Sequence, residues 1–414
     1  MNRKRIIVIG GGASGLMAAG QAAALGAEVT VLEKMPRTAR KLGITGKGRC
    51  NLTNIASLNE FIDHFGRNGR FLRQAFNVFF SRDLITFFGK LGVPTVTERG
   101  GRVFPTSEEA RDIVTAMNRY AGDNGVKILL NCPVKKILTK ESRVTGVTVE
   151  NNDQIEAAAV ILATGGKSYP ATGSTGDGFS LVKAMGHTIN PARPALVPLV
   201  SAGNTAARLQ GLSLKNVEAK LLIDGRKKAS HFGEMLFTHF GLSGPIILSL
   251  SKWAVEALET GQKVSVTIDL KPALDDKKLD SRLQRDFMTH GKRQFKSILK
   301  DLLPRTLIPV CIDLTGIDGD KPAHQISAAE RRRLRLWLKD FRIEITGQRG
   351  FSEAIITAGG ISTKEINPRT LESRLVKGLY FAGEIIDIDA DTGGYNLQAA
   401  FSTGYLAGSS AAAI

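Results

Sequence analysis

The sequence predicts an α/β protein with a parallel, Rossmann-like sheet, interrupted by a mixed insertion. Three observations carry this. RIIVIGGGASGLMAAGQAAALGAEVTVLEK, from Arg5 to Lys34, encodes strand, glycine turn, helix and strand in one compact unit. VILATGG at 160–166 is a second apolar strand that runs into glycines. LYFAGEIIDIDADTGGYNLQAAFSTGYLAG at 379–408 adds a late strand, a glycine-rich loop and an Ala-rich helix.

Ile6 to Ile9 reads as a short buried strand, Ser14 to Leu25 as a helix stopped by Gly26, and Glu28 to Glu33 as the paired strand. The stretch RTARKLGITGKGRCNLTN, from Arg37 to Asn54, carries five basic residues, no acid and three glycines. It is too polar and interrupted for an amphipathic helix and lacks strand alternation, so a loop is expected. Arg70 to Gly89 reads as one helix with an apolar stripe, and Glu108 to Asn124 as another. Short strands are expected at 126–130, 134–139, 144–150 and 160–163. PARPALVPLV, from Pro191, reads as a linker. Beyond it, strands are expected at 218–224 and 263–270, and helices at 277–303 and 327–340. The domain expectation is a nucleotide-binding domain from 1–193 and 356–414. The insertion, 194–355, is expected to carry a helical subdomain near 275–340.

Composition is that of a soluble globular protein, 43% hydrophobic and 23% charged. The apolar part of MNRKRIIVIGGG is too short for a signal peptide, and no apolar run reaches the roughly 18 residues of a membrane span. A cytoplasmic protein without membrane partners is expected. Cys50, Cys132 and Cys311 are too far apart for a CxxC metal site, and an odd number argues against a disulfide framework. Asp387, Asp389 and Asp391 alternate without the rest of an EF-hand pattern, so no metal is expected. The net charge of +17 favours polyanionic partners.

Gly10, Gly12 and Gly15 form G-x-G-x-x-G between strand and helix. Gly10 allows the tight turn, Gly12 lets a pyrophosphate approach the backbone, and Gly15 lets the helix pack on the strand. The amides at Ala13 and Ser14, at the helix start, face such a phosphate. Glu33 ends the second strand, at the spacing from the glycines where a carboxylate can hydrogen-bond ribose hydroxyls. The long basic loop after Glu33, the VILATGG turn and the glycines before the last helix favour FAD over NAD. Helix-start amides there can stabilise charge on a reduced flavin.

GGGASG, RKLGITGKGRCNLTN, ATGGKSYPATGSTGDG, FTHFGLSGPIILSLS and GLYFAGEIIDIDADTGGYNLQAAFSTG together resemble the BaiN/RdsA-type NAD(P)/FAD-dependent oxidoreductases, over nearly the whole chain. The resemblance implies an FAD domain with an inserted β-barrel-like domain and a small helical subdomain. It implies tightly bound FAD, with Glu33 on the ribose and Thr164, Gly165, Gly383, Glu384, Gly394, Asn396 and Leu397 near the cofactor. Lys34, Val134 and Gly166 join that set. Arg40 and Lys41 are expected at phosphate, Gly43 close to the flavin, and Arg49, Cys50 and Asn51 beside its ring. No second complete G-x-G-x-x-G is present, so NAD(P)H is expected only as a transient electron donor.

Reduction of a C=C bond needs a proton donor besides the flavin hydride. Cys50 is one candidate and a packed small residue the alternative; Tyr169, Tyr395, His239 and Lys167 are others. His187 and His231 have no supporting pattern and are read as ordinary surface or packing residues. The segment 277–305 holds 9 basic and 3 acidic side chains, and Lys292, Arg293, Lys296 and Lys300 are the expected RNA contacts on a helical face. The resemblance implies ribosomal RNA dihydrouridine synthesis, with reduction of a small unsaturated carbonyl or oxidation of an amine as the alternative. A third reading is an FAD-bearing RNA-binding or ribosome-assembly factor.

Overall fold

Ile6, Ile7, Val8 and Ile9 are buried on both faces, as a central parallel strand requires. In the computed structural model, which describes residues 3–413, they lie in β1 (Arg5–Ile9). The sheet that β1 organises is five-stranded and wholly parallel. Its order is Leu379–Phe381, Ala159–Leu162, β1, β2 (Glu28–Leu32) and Lys127–Leu129. Between β1 and β2 runs α1 (Ala13–Ala24). This order puts the ends of β1, β2 and their two neighbours along one carboxyl edge, where doubly wound sheets bind ligands.

The C-terminal helix (Tyr395–Ala412) packs directly on α1. Its glycines make that possible. A Cβ on Gly404 would come within 2.4 Å of the Ser14 carbonyl oxygen, and one on Gly408 within 2.3 Å of that of Ala18. The Ala- and Gly-rich composition of both helices therefore encodes close backbone contact rather than a thick side-chain layer.

The chain divides into two compact units, residues 1–195 with 351–414, and residues 196–350. The insertion thus begins at Leu196 rather than 194, and the first unit resumes at Phe351 rather than 356. The Pro-rich stretch expected to be a linker is a strand, Ile189–Ala195, paired antiparallel with Ile356–Ile361. Its register shifts between Asn190 and Arg193, across Pro191. Such irregular, two-stranded pairing is where a strand tolerates proline.

The second unit, taken by itself, holds a closed six-stranded barrel built from Leu199–Ser201, Ser213–Ile223, Arg226–Thr238, Gly241–Ser243, Val264–Asp269 and Phe341–Gln348. Helices Asp276–Thr289, Leu307–Thr315 and Ala328–Lys339 share its hydrophobic core. The helix expected at 277–303 ends at Thr289, and a separate short helix starts at Phe295.

The helix expected over Arg70–Gly89 is also broken. A 3₁₀ helix, Gly66–Leu72, leads into Arg73–Val78, and a second helix spans Ser81–Lys90. At the break Phe79 is extended, and its carbonyl accepts hydrogen bonds from Ser402 Oγ (2.6 Å) and Gln398 Nε2 (3.3 Å) of the C-terminal helix. The Phe80 amide donates to Asp83, which starts the next helix. Tertiary bonds thus replace the helical ones that the local pattern favours.

His187 is a packing residue rather than a surface one: it is buried, and both ring nitrogens are bonded. Ser373 Oγ accepts from the amides of Leu375 (3.0 Å) and Val376 (2.9 Å), so its proton points to His187 Nε2 at 3.0 Å. Nδ1–H then donates to Glu365 at 3.2 Å. Burial lowers the His187 pKa below its ordinary 6.5, against the pull of Glu365. The unfolded chain therefore binds the extra proton more readily than the folded one. We predict stability that is full above pH 6.5 and falls as pH drops through it. Denaturant midpoints across about pH 5–8 check this, since His is the side chain that ordinarily titrates there. In His187→Gln the slope in that window should flatten.

Candidate active site

Four loops leave the carboxyl edge of the sheet and meet there. The first is the turn Gly10–Gly15. Gly10 has φ +102°, and a Cβ on it would lie 2.6 Å from the Ala163 carbonyl oxygen. A Cβ on Gly15 would lie 1.9 Å from the oxygen of Gly10. Gly12, the N-cap of α1, faces open space, and no side chain caps the helix. Its first amides, at Ala13 and Ser14, are left for an anion.

Glu33 follows β2. Its carboxylate accepts from the amide of Gly11 at 2.7 Å and that of Met35 at 2.8 Å, which fixes it beside the glycine turn. The Cys132 amide bonds the Glu33 carbonyl, so the segment leading to half-exposed Val134 runs alongside. Lys34 pairs with Asp177 at 2.5 Å.

The third loop is Thr164–Gly165–Gly166. Thr164 Oγ1 is buried without a hydrogen-bond partner, and Gly165 has φ +72°. A Cβ on Gly166 would strike Thr357 Oγ1 at 2.3 Å. The fourth is Gly383–Leu397. Glu384 accepts from Ser168 Oγ (2.8 Å), the Thr357 amide (2.6 Å) and Lys41 Nζ (2.6 Å). Lys41 therefore meets a carboxylate in the structure. Sequence reasoning, which placed it at phosphate, missed Ser168, Thr357 and this knot.

The basic loop does not stay irregular: Arg40–Ile44 forms a short helix that includes Gly43, followed by a 3₁₀ turn. Arg40 Nη2 donates to the Ala171 carbonyl at 3.1 Å. Arg49 lies between Glu98 and Glu108 (2.6 Å) and over the Phe104 ring. The loop then joins the fourth one. With its amide turned, Asn51 accepts from the Gly394 amide at 3.1 Å, and Asn54 Nδ2 donates to the Gly393 carbonyl at 3.1 Å. Asn396 closes the same turn through the amide and carbonyl of Ala390, both at 2.9 Å. Gly394, with φ +98°, starts the C-terminal helix without a side-chain cap, and Leu397 is half-buried in its first turn.

For Cys50 the structure favours the packed small residue over the proton donor. It is 0% exposed, and burial pushes its thiol up to about 12. A thiol enclosed by core atoms cannot reach a substrate, so its packing role accounts for it. Tyr169, at φ +52°, is half-buried, and its amide bonds the Phe351 carbonyl. Tyr395 is buried as well, at 7% exposure, and lies in the fourth loop at the start of the C-terminal helix. Its ring stacks on His64 (centroids 3.9 Å apart, 24° between planes) and meets the edge of Phe61. His64 Nδ1 lies 3.0 Å from Asp391 Oδ2. Burial raises the Tyr395 pKa, helped by Asp391 and Glu60. Sequence reasoning did not single out His64, which sits in a short helix far along the chain from Asp391.

Of the acidic run, Asp387 accepts from Asn190 Nδ2 at 2.7 Å and Asp391 meets His64, so the two face separate partners. In the second unit Lys292 and Arg293 lie in a turn, Lys296 in the short helix Phe295–Ile298, and Lys300 in a 3₁₀ turn. They do not share one helical face. Arg293 pairs with Asp301 (3.4 Å) and Lys296 with Asp320 (2.5 Å), which reduces the charge they offer. No helix among the described residues is long and apolar enough to cross a membrane.

A family model described as HI0933-like protein Rossmann domain matches residues 4–410. A 3-dehydro-bile acid delta(4,6)-reductase of Clostridium scindens is 35% identical, covering 99% of each chain. A ribosomal RNA dihydrouridine synthase of Haemophilus influenzae is 31% identical, covering 96% of each, and that of Escherichia coli is 29% identical. Among solved structures, the 3-ketosteroid-delta4-(5alpha)-dehydrogenase of Rhodococcus jostii RHA1 covers 99% of this chain and 97% of its own. Its TM-score is 0.55 at 15% identity, a likeness of fold. The chain belongs to the HI0933-like Rossmann-domain family, oxidoreductases built on the FAD-binding form of the Rossmann fold.

Proposed function

We propose that this protein holds FAD along the carboxyl edge of its parallel sheet and reduces a carbon–carbon double bond, the uracil C5=C6 bond of ribosomal RNA. The observation that carries the redox reading is the meeting of the four loops. The uncapped start of α1 suits the pyrophosphate, Glu33 suits the ribose, and the unpartnered Thr164 hydroxyl and the uncapped helix at Gly394 suit the rest of the group. When bound and reduced, FAD supplies hydride to one carbon of the double bond. The chain's own task is the proton for the other carbon. Tyr395 is the donor in this reading. Its hydroxyl carries its proton at neutral pH, as a tyrosine ordinarily does. His64, held by Asp391, fixes the ring. NAD(P)H serves as a transient electron donor.

RNA as substrate is supported by full-length similarity to two ribosomal RNA dihydrouridine synthases and by the +17 charge. A strain lacking the gene should lose a dihydrouridine from its large-subunit ribosomal RNA, and wild-type protein should restore it. An unchanged profile would reject the RNA reading. The second reading, reduction of a small unsaturated carbonyl, is favoured by the 35% identity to the bile acid reductase. It expects that unchanged profile together with turnover of a conjugated ketone.

The cofactor assignment has its own test. Purified protein should be yellow and release FAD on denaturation. Glu33→Ala should weaken FAD binding by about 1.5–3 kcal/mol, the range for hydrogen bonds to a charged group. Titration of FAD into the stripped protein measures it. An unchanged Kd would remove Glu33 from the ribose site.

A further inference from the structure

The segment GRNGRFLR, from Gly66 to Arg73, has a period of three, and the fold uses it. The 3₁₀ helix Gly66–Leu72 opens on Gly66 at φ +55° and still runs longer than such helices usually do. With three residues per turn, positions three apart are eclipsed. Gly69 and Leu72 face the core; a Cβ on Gly69 would lie 2.0 Å from the Ile62 carbonyl oxygen. Arg67, Arg70 and Arg73 are all exposed. The first two share one edge of the helix, and the third continues it at the start of Arg73–Val78. Successive arginines rise by about 6 Å along the 3₁₀ axis. Among the described residues none of the three forms an ion pair. Arg73 reaches only Asn59, at 3.5 Å.

This edge is tied to the candidate active site. Asn68, between the arginines, donates to the Asp387 carbonyl at 2.6 Å. His64, one turn upstream, meets Asp391 in the same glycine-rich loop. The helix places three exposed arginines in a row, and no acid among the described residues pairs with them to offset their charge. A row of phosphates is the complementary partner, because Arg binds phosphate through paired N–H donors.

We propose that Arg67, Arg70 and Arg73 form a ridge that grips the phosphate backbone of the substrate RNA beside the active site. The inference rests on the RNA reading above and moves the contact from Lys292, Arg293, Lys296 and Lys300 to this ridge.

The test is binding of a large-subunit ribosomal RNA fragment across a salt series. The proteins are the wild type, an Arg67/Arg70/Arg73→Gln variant, the matching →Lys variant, and a Lys292/Arg293/Lys296/Lys300→Ala variant. Each phosphate contact adds about 0.7–0.9 to the slope of log K against log salt. The Gln variant should lose about 2–3 from that slope while keeping its FAD content and thermal midpoint. The Lys variant, with its charge intact, should keep most of the slope. A Gln variant with wild-type slope and Kd overturns the ridge and leaves the RNA reading standing, most directly if the quadruple Ala variant loses the slope instead. If wild-type protein binds the fragment no better than an unrelated RNA, the RNA reading falls and the ridge with it. A Gln variant that loses only affinity for polyglutamate would assign the ridge to an acidic protein and overturn the proposal.

Discussion

Gly404→Ala combined with Gly408→Ala destabilises the protein by about 2–4 kcal/mol, the sum of two overpacked sites less the gain in helix propensity. Helix propensity alone predicts the opposite sign, since each Gly→Ala in a helix interior gains about 1 kcal/mol. The geometry reverses it. Each new methyl meets a backbone carbonyl oxygen of α1, at 2.4 Å from Ser14 and 2.3 Å from Ala18. A flexible side chain could swing aside; a helix backbone cannot. Overpacking costs about 1–3 kcal/mol per site, and contact with backbone puts both sites at the upper end. The two helices must separate, and each carries a site turn at its N-terminus, Gly10–Gly15 before α1 and Gly394 before the C-terminal helix. FAD retention should fall with stability. Gly122→Ala is the control. It also lies in a helix, Ala110–Asp123, but its added methyl would meet nothing within 4 Å. Its denaturant midpoint should stay level or rise. A rise in the double variant as well would mean that the helices have slack.

The first unit was legible where local pattern and tertiary demand agree. An apolar run, three glycines and an acid closing the next strand define β1, α1 and β2 because every position there answers to one backbone path. The pattern failed where distant groups decide. The Phe79 break depends on Ser402 and Gln398, near the other end of the chain, and neither leaves a mark near Phe79. The Pro-rich strand at 189–195 exists because Ile356–Ile361 pairs with it. At the site, the glycines could be read because positive φ and close approach are properties of single residues. The partners of charged side chains could not. Lys41 and Arg49 are basic in sequence, but Glu384, Glu98 and Glu108 are found only in the fold. Cys50 illustrates the same limit. The sequence leaves its thiol open between proton donor and packed small residue, and only the fold, with the backbone at φ +59° and the side chain in the core, favours the second.

Tyr395→Phe should slow substrate reduction by roughly 10²- to 10⁴-fold, the contribution of a positioned general acid. The substitution removes one oxygen and keeps the ring, so the stack on His64 and the edge contact with Phe61 remain. FAD content and substrate Kd should stay near wild type, which places the loss in kcat. His64→Gln should cost less, because it loosens the Tyr395 ring without removing the proton. It should also leave the variant insensitive to Asp391→Asn, since both changes break the same 3.0 Å contact. Cys50→Ala should leave the rate intact, as a fully enclosed thiol takes no part in the step. Single-turnover reduction with pre-reduced protein separates these outcomes from electron supply. In that assay, wild-type rates in Tyr395→Phe would clear the hydroxyl of the role. They would leave Tyr169, half-buried in the loop beyond Gly166, as the remaining tyrosine to test.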